Sequence, residues 1–478
     1  MSAFIPVSPR FRPPLDPEFL PASLWNRAYR AAVGASGHAQ PLALALERSD
    51  GSVSLVRTAL FPHEGDWVTP NELYVERLVK FLLWQRGGYK LTVAGDPRVA
   101  AYLQEVYAPG GRRDFDFHFM GERVYGLPMV IQAVAFEDAP AERETAAALG
   151  RHLDGCRIGF DLGASDRKCA AVIDGEVVHT EEVVWDPSFK ADPQYHFDQI
   201  NDTLKRAAAH LPRVDAIGGS AAGVYVNNEV RVASLFRGVP PDLFNSRVRR
   251  LFFELQAAWH GVPLEVVNDG EVAALAGSMA LEDNAVLGVS MGSSQAGGYV
   301  TPQGNITNWL NELAFAPIDY RAEAPVDEWS GDGGVGAQYF SQQAVARLAP
   351  AAGLDFPSAM PLAARLAETQ ALMRKGDPRA RRIYETIGVY FGYAIAHYAD
   401  FYRIRHLLVL GRVLTGEGGG VIVDTAHDVL RGEFPELAER IRLEIPSEKE
   451  KRHGQAVAAA SLPRILPPVR QPQPKEDR

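Results

Sequence analysis

The 478-residue chain reads as an α/β protein. Short apolar β-runs alternate with segments of helical spacing along most of its length. Two of the runs form a strand, a polar turn and a second strand: residues 158–173 (IGFDLGASDRKCAAVI) and 287–300 (LGVSMGSSQAGGYV). A third, residues 264–269, ends in an amide and a carboxylate just before a new helical pattern. The length alone is enough for about two to four domains at roughly 100–200 residues each.

Five prolines in residues 1–20 deny regular helix, so this stretch reads as an extended arm. Residues 41–58 read as a hairpin around Asp50-Gly51. Residues 71–85 carry Leu73, Val75, Leu78 and Leu82 near helical spacing, residues 90–94 (KLTVA) form a strand, and 97–107 a helix. Residues 110–113 (GGRR) follow a helix and precede acidic residues, and read as an exposed turn rather than a phosphate loop. Residues 138–153 are charged and alanine-rich and read as a connecting helix. From 156 a new unit begins with three strands, a helix at 195–210, a strand into a glycine-rich end at 216–224 (AIGGSAAGV) and a helix at 244–260. Residues 375–397 start at Gly-Asp-Pro and run as a helix, with Pro in its first turn. Then come a buried strand at 407–411 (LLVLG), a glycine loop at 415–420, a helix at 421–431, and a small-residue helix at 454–461 able to pack closely on a sheet. Residues 463–478 read as a disordered tail.

Composition narrows the function classes. No run of 18 apolar residues offers a membrane span. The two cysteines, Cys156 and Cys169, exclude a disulfide framework and a cysteine-rich zinc site, and fit a reducing, cytoplasmic home. A net charge of −10 argues against general nucleic-acid affinity.

The chemistry-bearing residues lie at strand ends. Asp269 closes the run VVND, and a carboxylate there can take a proton from a substrate hydroxyl. Asn268 and Asp269 are equally good helix caps, so capping stands beside catalysis. Asp161 ends the first strand of the 158–173 unit, and could hold Mg²⁺ through water. Gly163 allows close approach of phosphate, although most such turns are plain hairpins. The turn at 292–294 exposes backbone N–H groups that can hold phosphate oxygens. A base beside a phosphate cradle points to phosphoryl transfer to an alcohol.

In order, DLGAS, the glycine-rich strand end, VVNDGEVAALAG, the MGSS turn, GDPRARRIYETIGVYFGYAIAHYADFYRIRHLLVLG and HGQAVAAAS resemble the ROK family of sugar kinases, within the actin-like ATPase superfamily. The resemblance spans residues 156–462. It implies a two-lobed, ribonuclease H-like α/β fold with ATP and sugar meeting in its cleft, preceded here by an extra N-terminal α/β domain. The implied division is an arm at 1–20, the N-terminal domain and connecting helix at 21–150, a first lobe at 151–284, a second at 285–462, whose final helix could return to the first, and the tail. By motif match, Asp161, Gly163, Ser165 and Lys168 belong to the first phosphate turn. Gly292, Ser293 and Ser294 form the second, and Gly411 lies beside adenosine. Asn268 holds a substrate hydroxyl and Asp269 is the general base. Glu312, Ser234 and Gly223 fall on the sugar side.

The departures from the family pattern are specific. The family's Gly-Glu-x-Gly-His stretch, which grips sugar and places a zinc-binding histidine, is here Asn311-Glu312-Leu313-Ala314-Phe315. Its cysteine-rich zinc loop is residues 331–341, without cysteine. The resemblance therefore implies ATP and Mg²⁺, no zinc, and altered sugar recognition. The expected function is an ATP-dependent kinase acting on a hydroxyl of a sugar-like molecule. The alternative is a non-catalytic sugar or nucleotide sensor. A DNA-binding repressor fits less well, because residues 20–137 look like mixed α/β rather than three short helices. Expected partners are a small sugar-like substrate and, compatibly, a second copy of the chain, with no membrane and no nucleic acid.

Overall fold

The computed structural model describes residues 5–144, 149–446 and 448–465, with the backbone alone at 448–453. It divides into two compact units: Met1–Ala147 with Ala273–Glu448, and Ala148–Val272 with Lys449–Arg478.

The first unit opens with residues 5–20, which contain no helix or strand. Then come α1 (Ala22–Ala35), the hairpin β1 (Gln40–Glu47) and β2 (Val53–Leu60), α2 (Val68–Arg86), β3 (Lys90–Ala94), α3 (Pro97–Val106), α4 (Asp114–His118) and β4 (Val130–Val134). Asp96 caps α3 by accepting from the Arg98 N–H, with Pro97 at the first helical position, as the Asp-Pro pair predicts. The sheet runs β2-β1-β3-β4, and β1 is buried from Leu42 to Leu46.

The second unit is built on β5 (Cys156–Leu162), β6 (Asp166–Ile173), β7 (Glu176–Val184), α5 (Pro193–Ala208), β8 (Ala216–Ala221), the short pair β9 (Val224–Val226) and β10 (Glu229–Val232), α6 (Pro241–Ser246), α7 (Leu251–Ala258) and β11 (Leu264–Asn268). Its sheet runs β11-β8-β5-β6-β7. β5, β8 and β11 are parallel, and their register sets Asp161 beside Ser220, and Ala221 beside Asn268. The carboxyl ends of adjacent parallel strands are where open α/β sheets bind ligands. α8 (Asp269–Ala280) follows β11 directly.

The rest of the first unit holds β12 (Val286–Met291), β13 (Gln295–Val300), α9 (Gln342–Ala352), α10 (Leu362–Arg374), α11 (Pro378–Tyr398), β14 (His406–Leu410), α12 (Glu417–Glu433), α13 (Pro435–Arg440) and β15 (Arg442–Glu444). This sheet runs β13-β12-β14-β15. A broad apolar core of α9, α11, α12, β12 and β14 residues covers it.

The last helix, α14 (Glu448–Ala460), belongs to the second unit. Its small residues let it lie directly on the sheet. A Cβ at Gly159 would sit 1.8 Å from Ala456 O, and one at Gly218 1.7 Å from Ala459 O. Glycine is the residue that these two strand positions tolerate.

Four local expectations differ from the structure, the first being the glycine loop at 415–420, of which residues 417–420 already belong to α12. The connecting helix over 138–153 is absent from its described residues: 139–144 and 149–153 contain no α-helix, and 145–148 lie outside the description. Arg143 instead makes a β-bridge with Val53, and Glu144 is drawn to Arg48 and Arg86. The helix at 244–260 is two helices, α6 and α7, separated by a 3-10 turn at Val248–Arg250. The turn 110–113 is not exposed throughout, because Arg113 is buried against Glu76 and Asp332. Residues 1–147 group in one compact unit with 273–448. The backbone of α2 holds residues 311 and 312, which explains that union.

Candidate active site

In the second unit, the parallel strand ends gather a compact polar group. Asp161 is buried at the end of β5, and its Oδ1 accepts a 2.7 Å hydrogen bond from Ser220 Oγ on β8. Lys168 Nζ lies 3.6 Å from Asp161 Oδ2 and 3.0 Å from Asp166. Burial pushes the Asp161 carboxyl above its ordinary range, while Ser220 and Lys168 pull it back. Burial works against the Lys168 charge, but Asp161 and Asp166 hold its pKa above the ordinary value.

The turn between β5 and β6 contains Gly163 and Ser165. Gly163 N donates to Asp166 O at 2.9 Å, and Trp185 Nε1 donates to Gly163 O at 2.8 Å. Ser165 is exposed, and its hydroxyl bonds Asp166. The turn is thus shaped by its own side chains while its tip stays open.

At the end of β11, Asn268 Nδ2 donates to Gly223 O at 2.7 Å, and Asn268 Oδ1 accepts from Gly270 N at 2.8 Å. Asn268 therefore caps α8 and ties the strand end to the Gly223 turn. Asp269 is half-buried, and its Oδ1 accepts from Gly270 N at 3.0 Å. Burial lifts the Asp269 carboxyl to about 6, and the negative charge of Asp161 adds to the rise. Tyr225 is pushed upward by burial and then by Asp269, which places its phenol in the same neighbourhood. Ser234 is exposed on the 3-10 turn after β10. It adjoins the Gly223 turn, because a Cβ on Gly223 would meet Val232 O at 2.4 Å.

The remaining expected residues lie in the first unit. Gly292, Ser293 and Ser294 form the β12–β13 turn; both serines are exposed, and Gly292 N donates to Ser294 O at 2.9 Å. Gly411, at φ +102°, abuts this turn from the end of β14: a Cβ there would lie 2.4 Å from Met291 O. The N–H of Glu312 donates to Trp84 O at 2.9 Å. Phe315, at the position where the family carries histidine, packs against Trp84, Phe115 and Trp329 at ring distances of 4.2, 5.8 and 5.3 Å. Among the described residues, no group of three or more His, Cys, Asp or Glu could hold a metal ion.

Ser220, Tyr225 and Trp84 escaped the reading of the sequence. Ser220 lies within the glycine-rich strand end, but a serine among small residues has no spacing signal. Its pairing with Asp161 emerges only from the β5–β8 register.

No protein-family model matches the chain, and no curated protein does. Solved structures do. The ROK hexokinase from Thermus thermophilus aligns with a TM-score of 0.50 and 19% identity, over 64% of this chain and 97% of that one. A ROK-family transcriptional regulator, described as a homologue of the E. coli MLC protein, aligns with a TM-score of 0.52 and 19% identity, over 68% of this chain and 80% of that one. At such identity the likeness establishes the fold alone, the one that these two ROK-family structures share, with further chain outside the aligned part. No described helix is long and apolar enough to cross a membrane.

Proposed function

We propose that the protein transfers a phosphoryl group from ATP to a hydroxyl of a sugar-like substrate. The observation carrying this is the placement of Asp161 at the end of β5 and of Asp269 directly after the end of β11, at the carboxyl ends of one sheet, with the Asp269 carboxyl raised to about 6. A base tuned toward neutrality is ionised at pH 7 yet basic enough to accept an alcohol proton in the transition state.

In this scheme Asp269 takes the proton from the acceptor hydroxyl as its oxygen forms a bond to the γ-phosphorus. The bond from that phosphorus to the bridging oxygen breaks, and ADP leaves with the electron pair. Asn268, fixed by Gly223 and Gly270, keeps one amide hydrogen for a substrate hydroxyl. The resemblance assigns phosphate and nucleotide contacts to the 163–165 turn and Lys168 in the second unit and, separately, to the 292–294 turn with Gly411 in the first. Asp161 suits Mg²⁺ held through water, because it is a single carboxylate with one oxygen already bonded to Ser220. When bound, Mg²⁺ would neutralise phosphate charge.

A second reading, a non-catalytic sugar or nucleotide sensor, is favoured by one observation. Phe315 is committed to an aromatic cluster, at the position where the ROK-family pattern carries a sugar-gripping histidine. Incubating the purified protein with ATP, Mg²⁺ and a panel of sugars separates the two. Phosphorylated product supports the kinase; calorimetric binding without any product supports the sensor.

A further inference from the structure

Helix α2 carries an unusual load of buried charge. Glu76, Arg77 and Lys80 meet Arg113, Asp116 and Asp332, three acids balancing three bases. Lys80 Nζ lies 2.7 Å from Asp116 and 3.2 Å from Asp332, with Lys80 and Asp116 each 1% exposed. Arg113 pairs with Glu76 at 2.6 Å and with Asp332, and Arg77 reaches Asp332 at 3.3 Å. A neutral buried network adds little net stability over a well-packed apolar core, but it fixes geometry when every member is paired.

What it fixes is the segment bearing Glu312. Trp84 Nε1 donates to Asp116 Oδ1 at 2.8 Å, so the indole is held by the network. The Trp84 ring packs on Phe315, and its carbonyl accepts from Glu312 N at 2.9 Å. Gln85 O likewise accepts from Asn311 N at 2.9 Å. Asn311, just before Glu312, is held at φ +50°, in the left-handed region that asparagine adopts more readily than most residues. On the other side, Asp332 leads into Gly334, whose carbonyl accepts from Ile318 N at 2.7 Å, and Gly336 N donates to Ala316 O at 3.0 Å. Both flanks of residues 312–318 thus trace back to the same charges.

We infer that Trp84, held by Lys80 and Asp116, is a positioning residue for Glu312, so that the N-terminal segment sets how Glu312 is presented. This rests on the reading that Glu312 contacts the sugar-like acceptor.

The test uses the full chain. Trp84→Phe keeps the ring and deletes the indole N–H; Lys80→Met removes the charge that orients Asp116; Glu312→Gln reports the contact itself. In steady-state assays the acceptor KM of Trp84→Phe should rise about 10-fold, with kcat and the ATP KM within about 2-fold, as expected for a displaced binding group. Lys80→Met should shift in the same direction if it folds, and Trp84→Phe stands alone if it does not. An unchanged acceptor KM in Trp84→Phe, or equal losses in acceptor KM, ATP KM and kcat, overturns the proposal. If the wild type binds a sugar without phosphorylating it, the kinase reading fails, and the calorimetric Kd replaces KM in the same comparison. If Glu312→Gln binds the acceptor as tightly as wild type, or the wild type binds no sugar of the panel, the positioning role is overturned.

Discussion

Ser220 Oγ stands 2.7 Å from Asp161 Oδ1, joining two parallel strands by side chains at the level of the expected phosphate turn. Both residues are buried, so this hydroxyl sets the orientation of the carboxylate. Ser220→Ala leaves that oxygen without its donor, and should cost about 1–3 kcal/mol of stability. Urea denaturation of the two proteins measures it, and an unchanged midpoint would show that solvent already supplies the bond.

Asp269→Asn keeps the size and the Gly270 contact while removing the base. Turnover should fall by about 10²–10⁴-fold, the usual contribution of a positioned proton acceptor. Acceptor and ATP affinity should stay near wild type. Rates within a few-fold of wild type would leave Asp269 as a cap and nothing more.

The raised Asp269 carboxyl has two pH signatures. Activity requires the ionised form, so kcat/KM for the acceptor should drop tenfold per pH unit below about pH 6. Asp161→Asn removes the second cause of the rise, and should move that limb to lower pH in whatever activity remains. Stability runs the other way. A carboxyl raised in the folded state favours folding at low pH, and that contribution is lost as pH rises from the unfolded value near 3.8 through about 6. Asp269→Asn should therefore stabilise the protein at pH 8, by no more than about 2 kcal/mol after allowing for partial exposure, and have little effect at pH 4. Thermal melts at both pH values decide it.

Gly159→Ala should destabilise the second unit by about 1–3 kcal/mol, since its Cβ would meet the backbone carbonyl of Ala456 at 1.8 Å, and backbone cannot rotate away. The same substitution at Gly331, where nothing lies within 4 Å, should show only the modest strain of its φ of +68°. Equal melting temperatures for the two variants would mean that α14 sits farther from the sheet.

The residues of the parallel strand ends were legible because strand, carboxylate and glycine turn are adjacent in sequence. Asp161, Asn268 and Asp269 needed only local pattern to be placed at strand termini. Catalysis and capping could not be separated that way for Asn268, and its two hydrogen bonds show that capping is part of its role. Partners distant in sequence were invisible. Lys80 and Asp332 lie far apart along the chain, and nothing around Arg113 marked it as a buried ion rather than part of an exposed turn. The failed helix at 138–153 has the same cause: its alanine and charge pattern satisfied helix propensity, but Glu144 found two arginines and an indole N–H instead.

The chain leaves the second unit after Val272 and comes back to it only at Lys449. During synthesis, the sheet of that unit must therefore wait for the closing helix until the residues past Lys449 have emerged from the ribosome. A nascent chain stalled before residue 449 would leave Gly159 and Gly218 uncovered, a small-residue furrow open to chaperones and proteases.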